Sequence, residues 1–158
     1  AKKEKKMDYE KLAKELVESI IIMNHPHKAP KDISKGEMGI LVYLSFYKKE
    51  AFSGEIADKT NLSTGRVAIA LNSLEKKGFV IRNKNTEDAR QVIVSATSKG
   101  KAFAVKNKDD FIKHMTKLLE YIGETDATEY VRIRKKINSF DYEERKNHEN
   151  NKNISSKH

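Results

Sequence analysis

Apolar residues recur at every third or fourth position in several stretches of the chain, which is the spacing that places them on one face of an α-helix. The first stretch runs from Met7 to Met23 and predicts a helix. Its apolar stripe comprises Tyr9, Leu12, Leu16, Ile20 and Met23. Both prolines, Pro26 and Pro30, fall within residues 24–35, which predicts a loop there.

A second helix is predicted to begin at Ser34, because Ser34 and Glu37 have the spacing of a capping box. The run from Met38 to Tyr47 is apolar on nearly all sides, which indicates a central buried helix. A short helix from Ser53 to Lys59 follows it.

A polar turn at 61–63 leads into a further amphipathic helix over 63–77. Ser63 is a suitable N-cap, and Gly78 is a suitable terminator after two lysines. The inward positions are Val67, Ala70, Leu71 and Leu74. The outward positions are Thr64, Arg66, Ile69, Asn72 and Ser73. A cation, an amide, hydroxyls and one aliphatic group can contact base edges and thymine methyl groups, so we expect these residues, together with Ser63 at the start of the helix, to contact DNA.

Two β-branched or aromatic runs within 79–95 flank a polar turn at 84–88, which predicts a β-hairpin. The order helix, turn, helix, hairpin is that of a winged helix-turn-helix. We therefore predict a mainly α fold with a small β-hairpin wing. In such a fold the helix over 63–77 lies in the major groove of DNA and the hairpin is a second contact.

Two more helices are predicted after the hairpin. Thr97 would cap a long helix that ends at Ile122 before Gly123, and Thr125 or Asp126 would cap a final helix. In the second case Glu129 would complete a capping box with Asp126, and the apolar stripe would be Tyr130, Ile133, Ile137 and Phe140. From Asp141 the sequence becomes polar and rich in asparagine, which predicts a brief extension of the helix and then a disordered tail.

The predicted elements divide the chain into an N-terminal helix and loop at 7–33, a winged core at 34–100, C-terminal helices at 101–140 and a tail at 141–158. The winged core does not need the terminal helices to close, so their apolar stripes predict a second copy as partner. The expected dimer contacts are Tyr9, Leu12, Leu16, Ile20, Leu119, Tyr130, Ile133, Ile137 and Phe140.

The 158 residues carry a formal net charge of +9, which favours a polyanionic partner. The sequence around the predicted helix and wing contains eight cationic residues but only three acidic ones, Glu75, Glu87 and Asp88. The eight are Arg66, Lys76, Lys77, Arg82, Lys84, Arg90, Lys99 and Lys101. The absence of cysteine excludes thiol redox chemistry, disulfides and Cys-ligated zinc. No apolar run is long enough to span a membrane and no secretory leader is visible, so we expect a cytoplasmic protein with no membrane partner.

The segment LSTGRVAIALNSLEKKGFVIR, with DAR at 88–90 and ATSKGK at 96–101, resembles the MarR (multiple antibiotic resistance regulator) family. The resemblance implies a two-fold dimer that binds a pseudo-palindromic stretch of double-stranded DNA as a ligand-responsive repressor. It also implies a pocket for a small-molecule effector, whose walls would include Tyr43 and Tyr47. Ala89 departs from the family, many members of which carry an arginine there.

Several wing residues are candidates for phosphate contact or for bracing. Arg82, Lys84 and Arg90 frame the hairpin, and their local excess of charge favours phosphate. Asp88 and Arg90 are two positions apart, on one side of a strand, where an ion pair would brace the wing. By resemblance, this pair is the family's structural motif.

Other chemistries are less well supported by the sequence. His25, His27 and His114 could ligate a metal, but no carboxylate pattern accompanies them, and ordinary polar positions explain them better. We find no nucleophile with a base and no phosphate-binding loop, so no enzyme and no cofactor are expected. The rival interpretation is a winged-helix module that binds proteins rather than DNA. Such a module has no need for Arg66, Arg82 and Arg90 together.

Overall fold

The computed structural model of the protein describes residues 6–22, 31–88 and 91–155. The helices are α1 (Tyr9–Ile22), α2 (Lys35–Val42), α3 (Ser53–Thr60), α4 (Thr64–Lys76), α5 (Ser98–Ile122) and α6 (Glu124–Ser155). The strands are β1 (Ala51–Phe52), β2 (Val80–Lys84) and β3 (Val92–Ala96). The chain forms two compact units, one built from its two ends and the other from its central segment up to Asp109.

The central unit has the predicted winged helix-turn-helix fold. Its sheet is antiparallel in the order β1-β3-β2, with Arg82 opposite Val94 in the hairpin. The predicted hairpin is therefore confirmed. Strand β1 could not be predicted from the sequence, because a strand of two residues is too short to show an alternating pattern.

The core of the central unit lies between α2, α3, α4 and the sheet. The four inward positions predicted on α4 are all buried in it. The largest fully buried side chains of this core are Ile40, Leu41, Leu44, Ile56, Leu71, Leu74, Val67, Val80 and Val94. Such burial is the main stabilising contribution, at about 1.5–3 kcal/mol for each large side chain.

Local chemistry determines where these elements begin and end. Ser34 and Glu37 form the predicted capping box at the start of α2. Asn61 takes the left-handed conformation in the turn before α4, at φ 54°, and Gly78 takes it after α4, at φ 73°. The Thr97 hydroxyl accepts a hydrogen bond from the Gly100 amide, which is the predicted cap of α5.

The central buried helix differs from its prediction in one respect. The α-helix ends at Val42, and a π-helical turn follows over Tyr43–Tyr47. The Lys48 amide donates to the Tyr43 carbonyl, five residues earlier. The hydrophobic pattern did not reveal this change, because a π-turn shifts the helical spacing by only one residue.

The unit formed by the chain ends has its own core. Helices α1, α5 and α6 contribute its buried residues, which are Ala13, Leu16, Val17, Ile20, Ile112, Met115, Leu119, Ala127 and Val131. The stripe predicted on the first helix is therefore covered within the same chain. That helix begins at Tyr9, after an Asp8 carboxylate that accepts from the Lys11 amide, rather than at Met7. Met23 lies outside the described residues.

Two predictions about the last helix are wrong. It begins at Glu124 directly after Gly123, whose carbonyl accepts from the Ala127 amide, so Thr125 and Asp126 lie in its first turn and do not cap it. It also continues to Ser155, where a disordered tail was predicted from residue 141. The added segment contains no proline or glycine and several good helix formers, and nothing in it stops the helix.

Candidate nucleic-acid interface

The outward face of α4 is the centre of the candidate interface. Thr64, Arg66, Ile69 and Asn72 are all exposed on it, as predicted from their spacing. Ile69 is 71% exposed on the same face as Arg66 and Asn72. A single exposed aliphatic side chain is common on protein surfaces, so Ile69 is a candidate contact only together with these polar neighbours.

Ser63 contributes to the start of α4. Its hydroxyl accepts a hydrogen bond from the Arg66 amide at 3.3 Å. The predicted role of Ser63 as an N-cap is confirmed.

Ser73 does not share the outward face and is half-buried towards α2. There the buried Glu37 carboxylate accepts from the Lys77 ammonium at 2.7 Å and from the Ser34 amide at 2.7 Å. Burial alone would raise the pKa of Glu37, but hydrogen bonds from Lys77, Ser73 and Ser34 outweigh it and lower the pKa to about 2. The prediction that Ser73 faces outward is therefore wrong. Helical spacing places residue 73 at the edge of both faces, and a buried carboxylate on α2 determines its side.

The wing contacts α4 through Arg82. One terminal nitrogen of its guanidinium donates to Asn72 Oδ1 at 2.7 Å and to Glu75 Oε2 at 2.6 Å, and Nε also donates to Glu75 at 3.1 Å. The hydrogen bond from Arg82 lowers the pKa of Glu75 below its ordinary value. These hydrogen bonds hold the Arg82 side chain against α4.

The wing is joined to the end of α4 by a second set of contacts. The Thr97 hydroxyl donates to the Gly78 carbonyl at 2.6 Å, and the Thr97 amide donates to the Phe79 carbonyl at 3.0 Å. The Phe79 ring stacks on Phe103 with centroids 4.6 Å apart. The start of the hairpin is therefore held beside the end of α4.

The positive charge of this surface is smaller than the sequence count suggested. Lys77 pairs with Glu37, Arg82 pairs with Glu75, and the Lys99 ammonium donates to the Lys77 carbonyl at the end of α4. The count of charges along the sequence did not include Glu37, because Glu37 is 40 residues from Lys77 along the chain. The side chains of four cationic residues form no hydrogen bond or ion pair with any residue that the structure describes: Arg66, Lys76, Lys84 and Lys101.

The turn of the wing is closed by Asn85. Its amide donates to the Gln91 carbonyl at 2.9 Å, and its side chain accepts from the Glu87 amide at 3.2 Å. Arg90 and Ala89 lie outside the described residues. The ion pair expected between Asp88 and Arg90, and the DNA contact expected of Arg90, therefore stay predictions.

The two tyrosines expected in an effector pocket lie in the π-helical turn. The Tyr43 hydroxyl donates to Glu55 at 2.9 Å, and Glu55 also pairs with Lys48 at 3.0 Å. Burial, together with the Glu55 carboxylate, raises the pKa of Tyr43 to about 12. Tyr47 is exposed. A shallow cavity of about 270 Å³ beside Asp8, Lys11 and Glu124 contains neither tyrosine.

The residues expected in the dimer interface separate into two groups. Leu16, Ile20 and Leu119 are buried within their own chain, and Tyr9 and Leu12 pack against the same core. The interface role predicted for Leu16, Ile20 and Leu119 is contradicted, because α5 and α6 already cover that stripe. The other four stay exposed on α6: Tyr130, Ile133, Ile137 and Phe140.

The metal hypothesis concerned three histidines, of which His25 and His27 lie outside the described residues. Within residues 6–22, 31–88 and 91–155, no group of three or more His, Asp or Glu side chains could hold a metal ion. In the same ranges, no helix has the length and apolar character needed to cross a membrane.

The fold and the exposed helix define a winged helix-turn-helix protein of the kind found in transcriptional regulators. Residues 22–107, more than half of the chain, match the family described as transcriptional regulator SarA/Rot, and the chain belongs to that family. The MarR-like fold predicted from the sequence is confirmed by this match and by the solved structures that follow.

Three proteins show how far the similarity extends. The chain is 33% identical over 82 residues to the HTH-type transcriptional repressor YetL of Bacillus subtilis, covering 51% of this chain and 48% of YetL. It thus spans about half the length of that relative. The structure of Streptococcus pneumoniae FabT in complex with DNA has a TM-score of 0.60 at 21% identity, covering 79% of this chain and 85% of FabT. Wild-type MarR from E. coli has a TM-score of 0.54 at 20% identity, covering 78% and 84%. The two structural likenesses show the fold.

Proposed function

We propose that this protein is a dimeric, sequence-specific DNA-binding transcriptional regulator that represses by occupying a pseudo-palindromic operator. The single observation that carries the proposal is the outward face of α4, which presents Arg66, Ile69 and Asn72 to solvent on a helix fixed on its other side by the core. These side chains supply a guanidinium and an amide, which can hydrogen-bond to base edges, and a methyl surface, which can pack against thymine methyl groups.

Charge supports the same function. Arg66, Lys76, Lys84 and Lys101 lie on α4, the wing and the start of α5, where phosphates would flank a helix lying in the major groove. The relative YetL is a repressor by name, and FabT has been solved with DNA, which supports the assignment by similarity.

The dimer follows from the uncovered apolar row on α6. Tyr130, Ile133, Ile137 and Phe140 recur at helical spacing and stay exposed. A second copy would cover the row and place two recognition helices about 34 Å apart, which is one turn of DNA. By resemblance, a small-molecule effector would act by binding one arrangement of the dimer more tightly than the other.

The test is the binding of the purified protein to fluorescent duplexes of random sequence between 50 and 200 mM salt, over which the Debye length falls by about half. We expect the logarithm of the association constant to fall linearly with the logarithm of the salt concentration, with a slope of about −0.9 per phosphate contact. Selection from a random duplex pool should then yield an inverted repeat. A protein-interaction module would show no duplex binding at low salt and no enriched sequence.

A further inference from the structure

Arg82 holds a residue of the recognition helix in one orientation. Its terminal nitrogen is 2.7 Å from Asn72 Oδ1 and 2.6 Å from Glu75 Oε2, so the guanidinium bridges two successive turns of α4. The backbone that carries Arg82 is fixed in the sheet, where it lies opposite the fully buried Val94. The bridge therefore has one end in the wing and the other on the exposed face of α4.

The chemistry of the guanidinium determines which end of the Asn72 amide it meets. Arginine has five donors and no acceptor, so only the amide oxygen of Asn72 can bond to it. The amide NH2 group is then directed away from Arg82. A carboxamide that rotates freely could present its oxygen and nitrogen in either order, and this bridge removes that choice.

The fixed order changes what Asn72 can recognise. An unrestrained asparagine is suited to adenine, because its oxygen accepts from N6 while its nitrogen donates to N7. With one lone pair of the oxygen occupied by Arg82, the amide nitrogen is the group directed away from the bridge. Its partners in the major groove are acceptors, namely guanine O6 and N7, thymine O4 and adenine N7, whereas cytosine presents the N4 donor there.

We propose that Arg82 is a positioning residue that sets the base preference of Asn72 by directing its amide donor towards acceptor atoms of the bases. This inference rests on the proposed DNA-binding function and adds a specificity mechanism to it. Glu75 is the anchor, because it accepts two bonds from Arg82 and holds the guanidinium beside α4. Arg82 then affects binding through Asn72 more than through phosphate.

The experiment compares wild type, Asn72→Ala, Arg82→Lys and the double variant on a panel of duplexes. Lysine keeps the positive charge but lacks the planar fork through which Arg82 donates to Glu75 from two nitrogens, so its flexible ammonium is not held in one position beside Asn72. The base pair read by residue 72 is first located as the position at which N72A loses discrimination. The four base pairs are then placed there in an otherwise constant operator, and a dissociation constant is measured for each.

We expect wild type to disfavour cytosine at that position by about 5-fold or more relative to the bases that present an acceptor. N72A should lose this preference, R82K should lose most of it, and the double variant should lose no more than N72A alone. Thermal unfolding of each variant establishes that it is folded. Glu75→Ala is a second variant: it should weaken the preference while raising affinity for all duplexes, because a cation is released.

Three results would overturn the inference. The first is an R82K protein that binds every duplex more weakly by one common factor and keeps its base preference, since Arg82 would then be a phosphate contact. The second is a wild-type preference for cytosine at the mapped position, and the third is an N72A protein that loses discrimination at no position of the operator. If wild type shows no salt-dependent duplex binding, the proposed function itself fails. That result is distinct from the other three, because it appears before any variant is compared.

Discussion

The Lys77 ammonium donates to the Glu37 carboxylate at 2.7 Å and thereby joins the end of α4 to the first turn of α2. The Glu37 side chain is 8% exposed and that of Lys77 is 31% exposed, so the pair is shielded from solvent on one side only. The same carboxylate closes the capping box with Ser34. One acidic residue therefore completes the cap of α2 and fixes α4 against it.

This pairing predicts a pH dependence of stability. The pKa of Glu37 falls from an ordinary value of 4.5 to about 2 in the folded protein, so the folded state favours the charged carboxylate. Its contribution is complete above about pH 4.5 and is lost as the pH falls towards 2, at about 2–3 kcal/mol in total. Urea unfolding at several pH values should show that Glu37→Gln lowers stability at pH 7 by about this amount and flattens the decline below pH 5.

The matched control is Glu129→Gln on α6. Glu129 also forms an ion pair, with Arg132, but both side chains are exposed, and exposed pairs contribute little. E129Q should follow the wild-type pH curve. An E37Q curve parallel to wild type from pH 5 to pH 2 would show that Glu37 is not linked to folding as argued.

A second prediction concerns the close approach of α5 to the wing. A Cβ atom at Gly100 would lie 2.1 Å from the Phe79 carbonyl oxygen, which is backbone and already accepts from the Thr97 amide. Gly100→Ala must therefore move either the hairpin or the start of α5, at a cost of about 3 kcal/mol. The free energy of unfolding from urea titration measures this cost.

Gly54 is the control for that substitution. A Cβ atom there meets nothing within 4 Å, and the residue lies in α3. Gly54→Ala should stabilise the protein by up to about 1 kcal/mol, because alanine loses less backbone entropy in a helix. Equal effects of the two substitutions would mean that helix propensity, and not the contact with Phe79, determines the result at Gly100.

The sequence predicted most of the central unit because local signals agree there. Ser34, Ser63 and Thr97 are caps, Gly78 ends a helix, and the inward positions of α4 are buried as their spacing required. Each of these features depends on residues within a few positions of one another. Local pattern is sufficient for such features.

The features that the sequence did not predict correctly depend on contacts between residues that are distant along the chain. Ser73 faces inward because of Glu37, and Arg82 turns to α4 because of Glu75, neither of which periodicity can show. The stripe on α1 was assigned to a second copy, although α5 and α6 of the same chain cover it. An amphipathic stripe shows that a partner exists, but it does not say which partner.

A third prediction tests the dimer. Ile133 and Ile137 are 44% and 43% exposed on α6, one helical turn apart. Replacing both with glutamate would place charge in the proposed interface and should shift the protein from dimer to monomer in sedimentation equilibrium. The control is Val105→Glu on α5, since Val105 is similarly exposed in the other unit and should leave the association state unchanged. A dimer that survives the double substitution would place the interface elsewhere.

The last prediction concerns Arg66, the cation at the centre of the proposed DNA contact. Its side chain is exposed and has no ion-pair partner among the described residues, so nothing in the fold depends on it. Arg66→Ala should leave the unfolding midpoint within experimental error while weakening operator binding by about 1–3 kcal/mol and relaxing preference at one base pair. Arg132→Ala on α6 removes the same charge from the other unit and is the control, since it changes only the long-range electrostatic attraction. If the two variants lose equal affinity on operator and random duplex alike, Arg66 contributes charge and does not read a base. If R66A binds the operator as wild type does, α4 is not the recognition helix.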